Sequence, residues 1–146
     1  MIGINKDKTL KLEGIAKDLY DSRPKNIEFT LYKSNRGFSI TFTDKKIKVS
    51  IVFGGANYCE HYIKPFVGEN GSLPWTSKDF EVGVKHPEND QWYVVPGHDG
   101  DGIHPYANFE ELDEILNYVM NTPKLKIIDI ASKKRSMTYR QKKIPK

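Results

Sequence analysis

The sequence predicts an α+β domain: a mainly antiparallel sheet of five or six strands, a C-terminal amphipathic helix packed on one face, and a short N-terminal helix. Three observations predict it. Residues 27–53 hold three consecutive runs with an apolar side chain at every second position, the period of a half-buried strand. The links between these runs are too short for anything but antiparallel neighbours. Residues 108–120 then change to the 3.6-residue period of a helix with one apolar stripe.

Taken in order, Leu12, Ile15, Ala16 and Leu19 share one face of a short helix. It must stop before Arg23-Pro24, because proline disfavours helical backbone in the residue before it. Gly14 weakens this helix. Ile27, Phe29 and Leu31 alternate with Glu28, Thr30 and Tyr32. Phe38, Ile40 and Phe42 alternate with Ser39, Thr41 and Thr43, and Ile47, Val49, Ile51 and Phe53 with Lys48, Ser50 and Val52. The links Ser34-Asn35-Arg36-Gly37 and Asp44-Lys45-Lys46 have turn chemistry. The expected product is a three-stranded meander with one buried and one polar face.

Phe80, Val82 and Val84 alternate with Glu81, Gly83 and Lys85, so a fourth strand is expected, with Glu81 and Lys85 keeping its outer face wet. His86 to Asp90 reads as a turn, and Gln91 to Val95 as the returning strand. Asn108 followed by Glu111 has the spacing of a capping box. Phe109, Leu112, Ile115, Leu116 and Val119 form the stripe behind it, and Asn121-Thr122-Pro123 ends the helix. Glu110, Glu111, Asp113 and Glu114 lie near the positive end of the helix dipole. Residues 125–130 suit a sixth strand better than a second short helix, because isoleucine is frequent there.

A chain of 146 residues fits one domain, here residues 1–132, followed by a basic segment 133–146. Such a chain buries roughly 68–70 % of its unfolded surface, so neither disulfide nor metal is needed for stability. The single Cys59 excludes an intramolecular disulfide framework and points to a reducing compartment. No apolar run approaches the ~18 residues of a membrane span, and the early charges of MIGINKDK do not suit a secretory leader. A cytoplasmic protein without a membrane partner is expected.

Charge is zoned. Residues 1–50 carry 11 basic and 6 acidic side chains, residues 51–123 carry 3 and 12, and residues 124–146 carry 9 and 1. An acidic middle repels polyanions, so nucleic-acid contact is confined to the two basic ends. In the last segment Lys133, Lys134, Arg135, Arg140, Lys142 and Lys143 are candidates to neutralise phosphates, with Tyr139 able to stack on a base. A solvated chain end is the competing reading. The polar sheet face is a second candidate platform: Tyr32, Ser39, Thr41, Thr43, Lys48 and Ser50, with Arg36 and the cluster Lys45, Lys46, Lys48, make it basic and rich in hydroxyls.

The connection from Phe53 to Lys78 is about 25 residues long, well above ordinary loop length. Its aromatics, Tyr58, Tyr62, Phe66 and Trp75, either pin the loop to the domain or form a partner-binding surface, for which Tyr58, Tyr62 and Trp75 are the candidates. Cys59-Glu60-His61 juxtaposes a thiol and an imidazole, but C-x-H is not a zinc-finger spacing, and a small buried cysteine is the commoner case. The stretch Gly97 to His104 offers His98, Asp99, Asp101 and His104 as metal ligands. Only a fragment of a calcium loop is present, and two histidines six apart do not fit a helical zinc site. No metal or other cofactor is expected.

The stretch Ser50-Ile51-Val52-Phe53-Gly54-Gly55-Ala56-Asn57-Tyr58-Cys59 resembles small uncharacterised proteins of bacteriophages and other mobile elements. In that group a strand runs into a glycine-containing turn and a Tyr-Cys or Tyr-Ser pair, then a hairpin and an acidic helix. The resemblance spans residues 38–120 and implies no established activity. It implies a location in the cytoplasm of a bacterial host. The leading expectation is a small non-enzymatic binding protein, an accessory or inhibitor acting on a protein or nucleoprotein. One alternative is a nucleic-acid-binding protein using the polar sheet face and the basic tail. The other is a metal-dependent enzyme using residues 97–104.

Overall fold

Each alternating run of residues 27–53 is a strand at its expected place in the computed structural model, which describes residues 1–5, 7–33, 36–53, 59, 75–95 and 103–128, Trp75 by its backbone alone. β1 (Ile2–Ile4) and β2 (Leu10–Lys11) precede α1 (Gly14–Ser22). β3 (Ile27–Leu31), β4 (Gly37–Phe42) and β5 (Ile47–Val52) form the meander. β6 (Trp75–Ser77), β7 (Phe80–Lys85), β8 (Ile103–Ala107) and α2 (Phe109–Asn121) follow.

The large sheet has the order β3-β4-β5-β7-β8, antiparallel throughout, so spatial order follows chain order. Only β6 leaves this succession. It pairs with β1 in a second, three-stranded sheet of order β2-β1-β6.

The inner face of the large sheet carries rows such as Phe29, Ile40, Val49 and Val84. Both helices lie on this face. The Tyr20 ring of α1 meets Phe29 edge-on at 5.1 Å, and the Phe109 ring of α2 meets Phe80 at 5.3 Å. α2 buries Leu112, Ile115, Leu116 and Val119, the stripe that its sequence period implied. Each such side chain contributes about 1.5–3 kcal/mol by leaving water. β1 joins the same core through Ile2 and Ile4, and Cys59 is buried within it.

The helix ends are held by long-range contacts. α2 opens with the expected capping box: the Asn108 side chain accepts from the Glu111 N–H, and the Glu111 carboxylate accepts from the Asn108 N–H. At its other end, Lys45 from the β4–β5 turn donates to the carbonyls of Met120 at 2.7 Å and Val119 at 2.9 Å. A cation thus sits on the negative end of the dipole. α1 has no side-chain cap from its own N-cap residue, Glu13. Asp113 of α2 supplies one instead, its Oδ1 accepting from the Ile15 N–H at 2.9 Å. Gly14, at φ 60°, leaves room for that carboxylate. The glycine that weakens the helix in isolation therefore docks it to its neighbour. Arg23, left-handed at φ 43°, ends α1 where Pro24 requires it.

Four expectations are corrected. The fifth strand of the large sheet is residues 103–107, not 91–95. β8 occupies one edge of β7 at Phe80, Val82 and Gly83, leaving only Lys85 to bridge Trp92. Residues 125–128 are not a full strand either: a single bridge joins Ile127 to Tyr93, and residues 129–130 lie outside the described residues. The outer face is not uniformly wet. β7 is buried on both faces at most positions, with Glu81 8 % exposed, and Ser39 of β4 is 2 % exposed. Finally, Lys45 is a helix cap rather than part of a free basic cluster.

Candidate functional site

With both helices on the inner side, the outer side of the large sheet faces away from them. Register fixes which side chains share it. One row crosses the sheet as Glu28, Thr41, Lys48, Lys85 and Trp92. The next reads Thr30, Ser39, Ser50, Gly83 and Ile103. Lys48 and Lys85 are direct partners on β5 and β7, with Cα atoms roughly 4.5–5.5 Å apart by ladder geometry.

Like charges directly opposite one another destabilise a sheet. Two rings moderate this pair. The Lys48 ammonium lies 5.5 Å from the Tyr32 ring centroid, and the Lys85 ammonium lies 5.6 Å from that of Trp92. Both are within the range of cation–π attraction, which places a cation against the negative face of an aromatic ring. Among the described residues, neither lysine is in a salt bridge with a carboxylate. All four side chains are half-buried. The outcome is a positive centre held between two aromatic rings.

Tyr32 is fixed in this position. Its hydroxyl is 2.7 Å from the Ser50 hydroxyl, so the side chain reaches from the end of β3 back across β4. Gly37 permits this passage: a Cβ there would lie 3.0 Å from the Tyr32 ring, 2.9 Å from Val52 Cγ1 and 2.4 Å from the Ile51 carbonyl oxygen. Thr41 and Ser50 add half-buried hydroxyls beside the lysines. Glu28 stands at the far end of the row, two strands from Lys48, and Glu81 is buried. Among the described residues, Lys48 and Lys85 are the two cations of this row.

The sequence-derived candidates divide unevenly. Of the polar-face set, Tyr32, Lys48, Ser50, Thr41 and Ser39 share the face, although Ser39 is buried. Tyr58, Tyr62 and Phe66 lie outside the described residues. Trp75 lies on β6, its backbone paired with Ile4. Lys133, Lys134, Arg135, Arg140, Lys142 and Lys143 lie outside the described residues, as do His98, Asp99 and Asp101. His104 is on β8, where its Nε2 contacts the carboxylate of Glu111. That carboxylate also caps α2, so the contact joins β8 to the helix start. Among the described residues, no three His, Cys, Asp or Glu side chains gather in a way that would hold a metal ion.

Sequence reasoning put Lys85 on the outer face of its strand but counted neither Lys85 nor Trp92 among the residues of the candidate platform. The signal was present: a turn at 86–90 sets Lys85 opposite Trp92, and the parity of β7 puts Lys85 on the polar side. No family model, curated protein or solved structure matches the chain. Among the described residues, no helix is long and apolar enough to cross a membrane.

Proposed function

We propose that this chain is a non-enzymatic binding protein that holds single-stranded nucleic acid against the outer face of its large sheet. One observation carries the reading: Lys48 and Lys85 sit side by side without a described carboxylate partner, each against an aromatic ring. A phosphate is the anion that such a pair accepts, with each ammonium donating to a phosphate oxygen. Tyr32 and Trp92 supply stacking surfaces on either side, and stacking on aromatics tolerates any base. The hydroxyls of Thr41 and Ser50 can add contacts to phosphate or sugar. The cations Lys133, Lys134, Arg135, Arg140, Lys142 and Lys143 would extend the electrostatic contact along the strand.

The test is anisotropy of a labelled oligothymidylate of about fifteen nucleotides, within the span such platforms cover, titrated at several salt concentrations. Replacing both Lys48 and Lys85 by Gln removes two phosphate contacts. The slope of log affinity against log salt should then become shallower by about 1.4. An unchanged slope, with the variant folded, refutes the assignment of the face.

A further inference from the structure

We propose that the open edge of β3 accepts an extended acidic peptide segment of a partner protein as an added strand. The hydrogen-bond pattern defines that edge. Tyr32 donates to the Gly37 carbonyl, and Thr43 donates to the Asn26 carbonyl. Even-numbered residues of β3 therefore bond to β4, and Ile27, Phe29 and Leu31 turn their N–H and C=O groups the other way. The Ile27 N–H is taken by the Pro24 carbonyl. Phe29 and Leu31 keep outward donors and acceptors, and among the described residues no strand pairs with this edge. An open edge of this kind is a template for strand addition.

Beside the edge runs a groove of about 280 Å³. Its walls are the inner-face side chains Phe29 and Leu31, Leu10 at the edge of the smaller sheet, and the ring of Tyr20. An added strand would direct every second side chain into it, so branched aliphatic residues suit those positions.

The charge around the groove selects the occupant. Among the described residues, its lining holds the cations Lys8 and Arg23 and no carboxylate. The Arg23 guanidinium is exposed and lies 4.5 Å above the Tyr20 ring, with no salt bridge among the described residues. Lys25 and Lys33, both exposed, flank the two ends of β3. A second copy of this chain is a poor fit. Antiparallel self-pairing centred on Phe29 would place Lys25 of one copy opposite Lys33 of the other, at both ends. A segment with alternating aliphatic residues and acidic flanks meets the same surface with opposite charge.

The experiment uses a labelled peptide, Glu-Glu-Val-Thr-Val-Thr-Val-Glu-Glu, with fluorescence polarisation on the full chain. Binding is expected, and replacing the four Glu by Lys should abolish it. Two N-methylated forms test the ladder: one methylated on the valines, the other on the threonines. Only one set of N–H groups can face β3, so one form should bind and the other should not. Arg23→Glu should weaken binding about tenfold, the range of a charge-assisted contact. Leu31→Pro removes an outward N–H without touching the β3–β4 ladder and should also weaken it. Should that variant fail to fold, Arg23→Glu and the methylated pair still decide. Equal binding of both methylated forms overturns the proposal, as does no binding at about 1 mM, the weak end of specific affinity. So does a concentration-dependent dimer that the peptide fails to dissociate, because the edge would then belong to a second copy.

Discussion

Replacing Gly14 by Ala tests how α1 is joined to α2, and the outcome can be worked from three distances. A Cβ at position 14 would lie 2.4 and 2.5 Å from the two carboxylate oxygens of Asp113, closer than any relaxed contact. The backbone there has φ 60°, where a residue with a Cβ costs about 1–2 kcal/mol relative to glycine. Asp113 must also withdraw, losing its bond to the Ile15 N–H at 2.9 Å. Loss of such a cap costs about 1 kcal/mol. The single change should therefore destabilise by about 2–3 kcal/mol, and Asp113→Ala alone by about 1 kcal/mol. In the double variant the cap is lost only once and the clash is gone. The two effects should fall short of additivity by about 1 kcal/mol, well beyond the scatter of independent sites. Urea unfolding of the four proteins, read as the midpoint at constant slope, measures the cycle. Additivity within about 0.3 kcal/mol would show that Gly14 and Asp113 do not meet.

Other outcomes follow from the same geometry. Lys45→Met removes the cation from the Val119 and Met120 carbonyls and should lower stability by about 1–2 kcal/mol, measured by thermal melting. Gly37→Ala drives a methyl group to 2.4 Å from the Ile51 carbonyl oxygen. It should cost about 1–3 kcal/mol in chemical denaturation, and it should weaken oligonucleotide binding by displacing Tyr32. Tyr32→Phe keeps the ring against Lys48 but loses the Ser50 contact at 2.7 Å. It should retain most of the affinity for an oligonucleotide, whereas Tyr32→Ala should lose about 1–3 kcal/mol of stacking in the same titration.

Elements whose partners are near in sequence were legible. The meander strands carry their own alternation and turn chemistry, and Asn108 with Glu111 marked the start of α2 within one turn. β8 was hidden because Gly97 to Gly102 and Pro105 read as a loop. Proline is nevertheless tolerated on an edge strand, and Tyr106 there takes a left-handed φ of 53° beside a register shift. β1, β2 and β6 have two or three residues each, and β6 finds its partner more than seventy positions away. No local period can announce such a sheet. The candidate face was half legible for the same reason. Tyr32, Lys48 and Ser50 lie in the meander, whereas Lys85 and Trp92 join them only once β7 is placed beside β5. Lys45 looked like its neighbours Lys46 and Lys48 because nothing local indicates that its chain reaches the end of α2.

The central claim is that nucleic acid lies across the Lys48–Lys85 pair with its bases on the flanking rings. The most direct measurement is photo-crosslinking of an oligonucleotide carrying 5-iodouracil, followed by mass-spectrometric mapping of the adducts. Iodouracil couples to aromatic rings stacked on it, so adducts should concentrate on Tyr32 and Trp92 and fall sharply when Lys48 and Lys85 are both replaced by Gln. Adducts confined to the helix side of the sheet, at Tyr20, Phe109 or Tyr118, would contradict the claim.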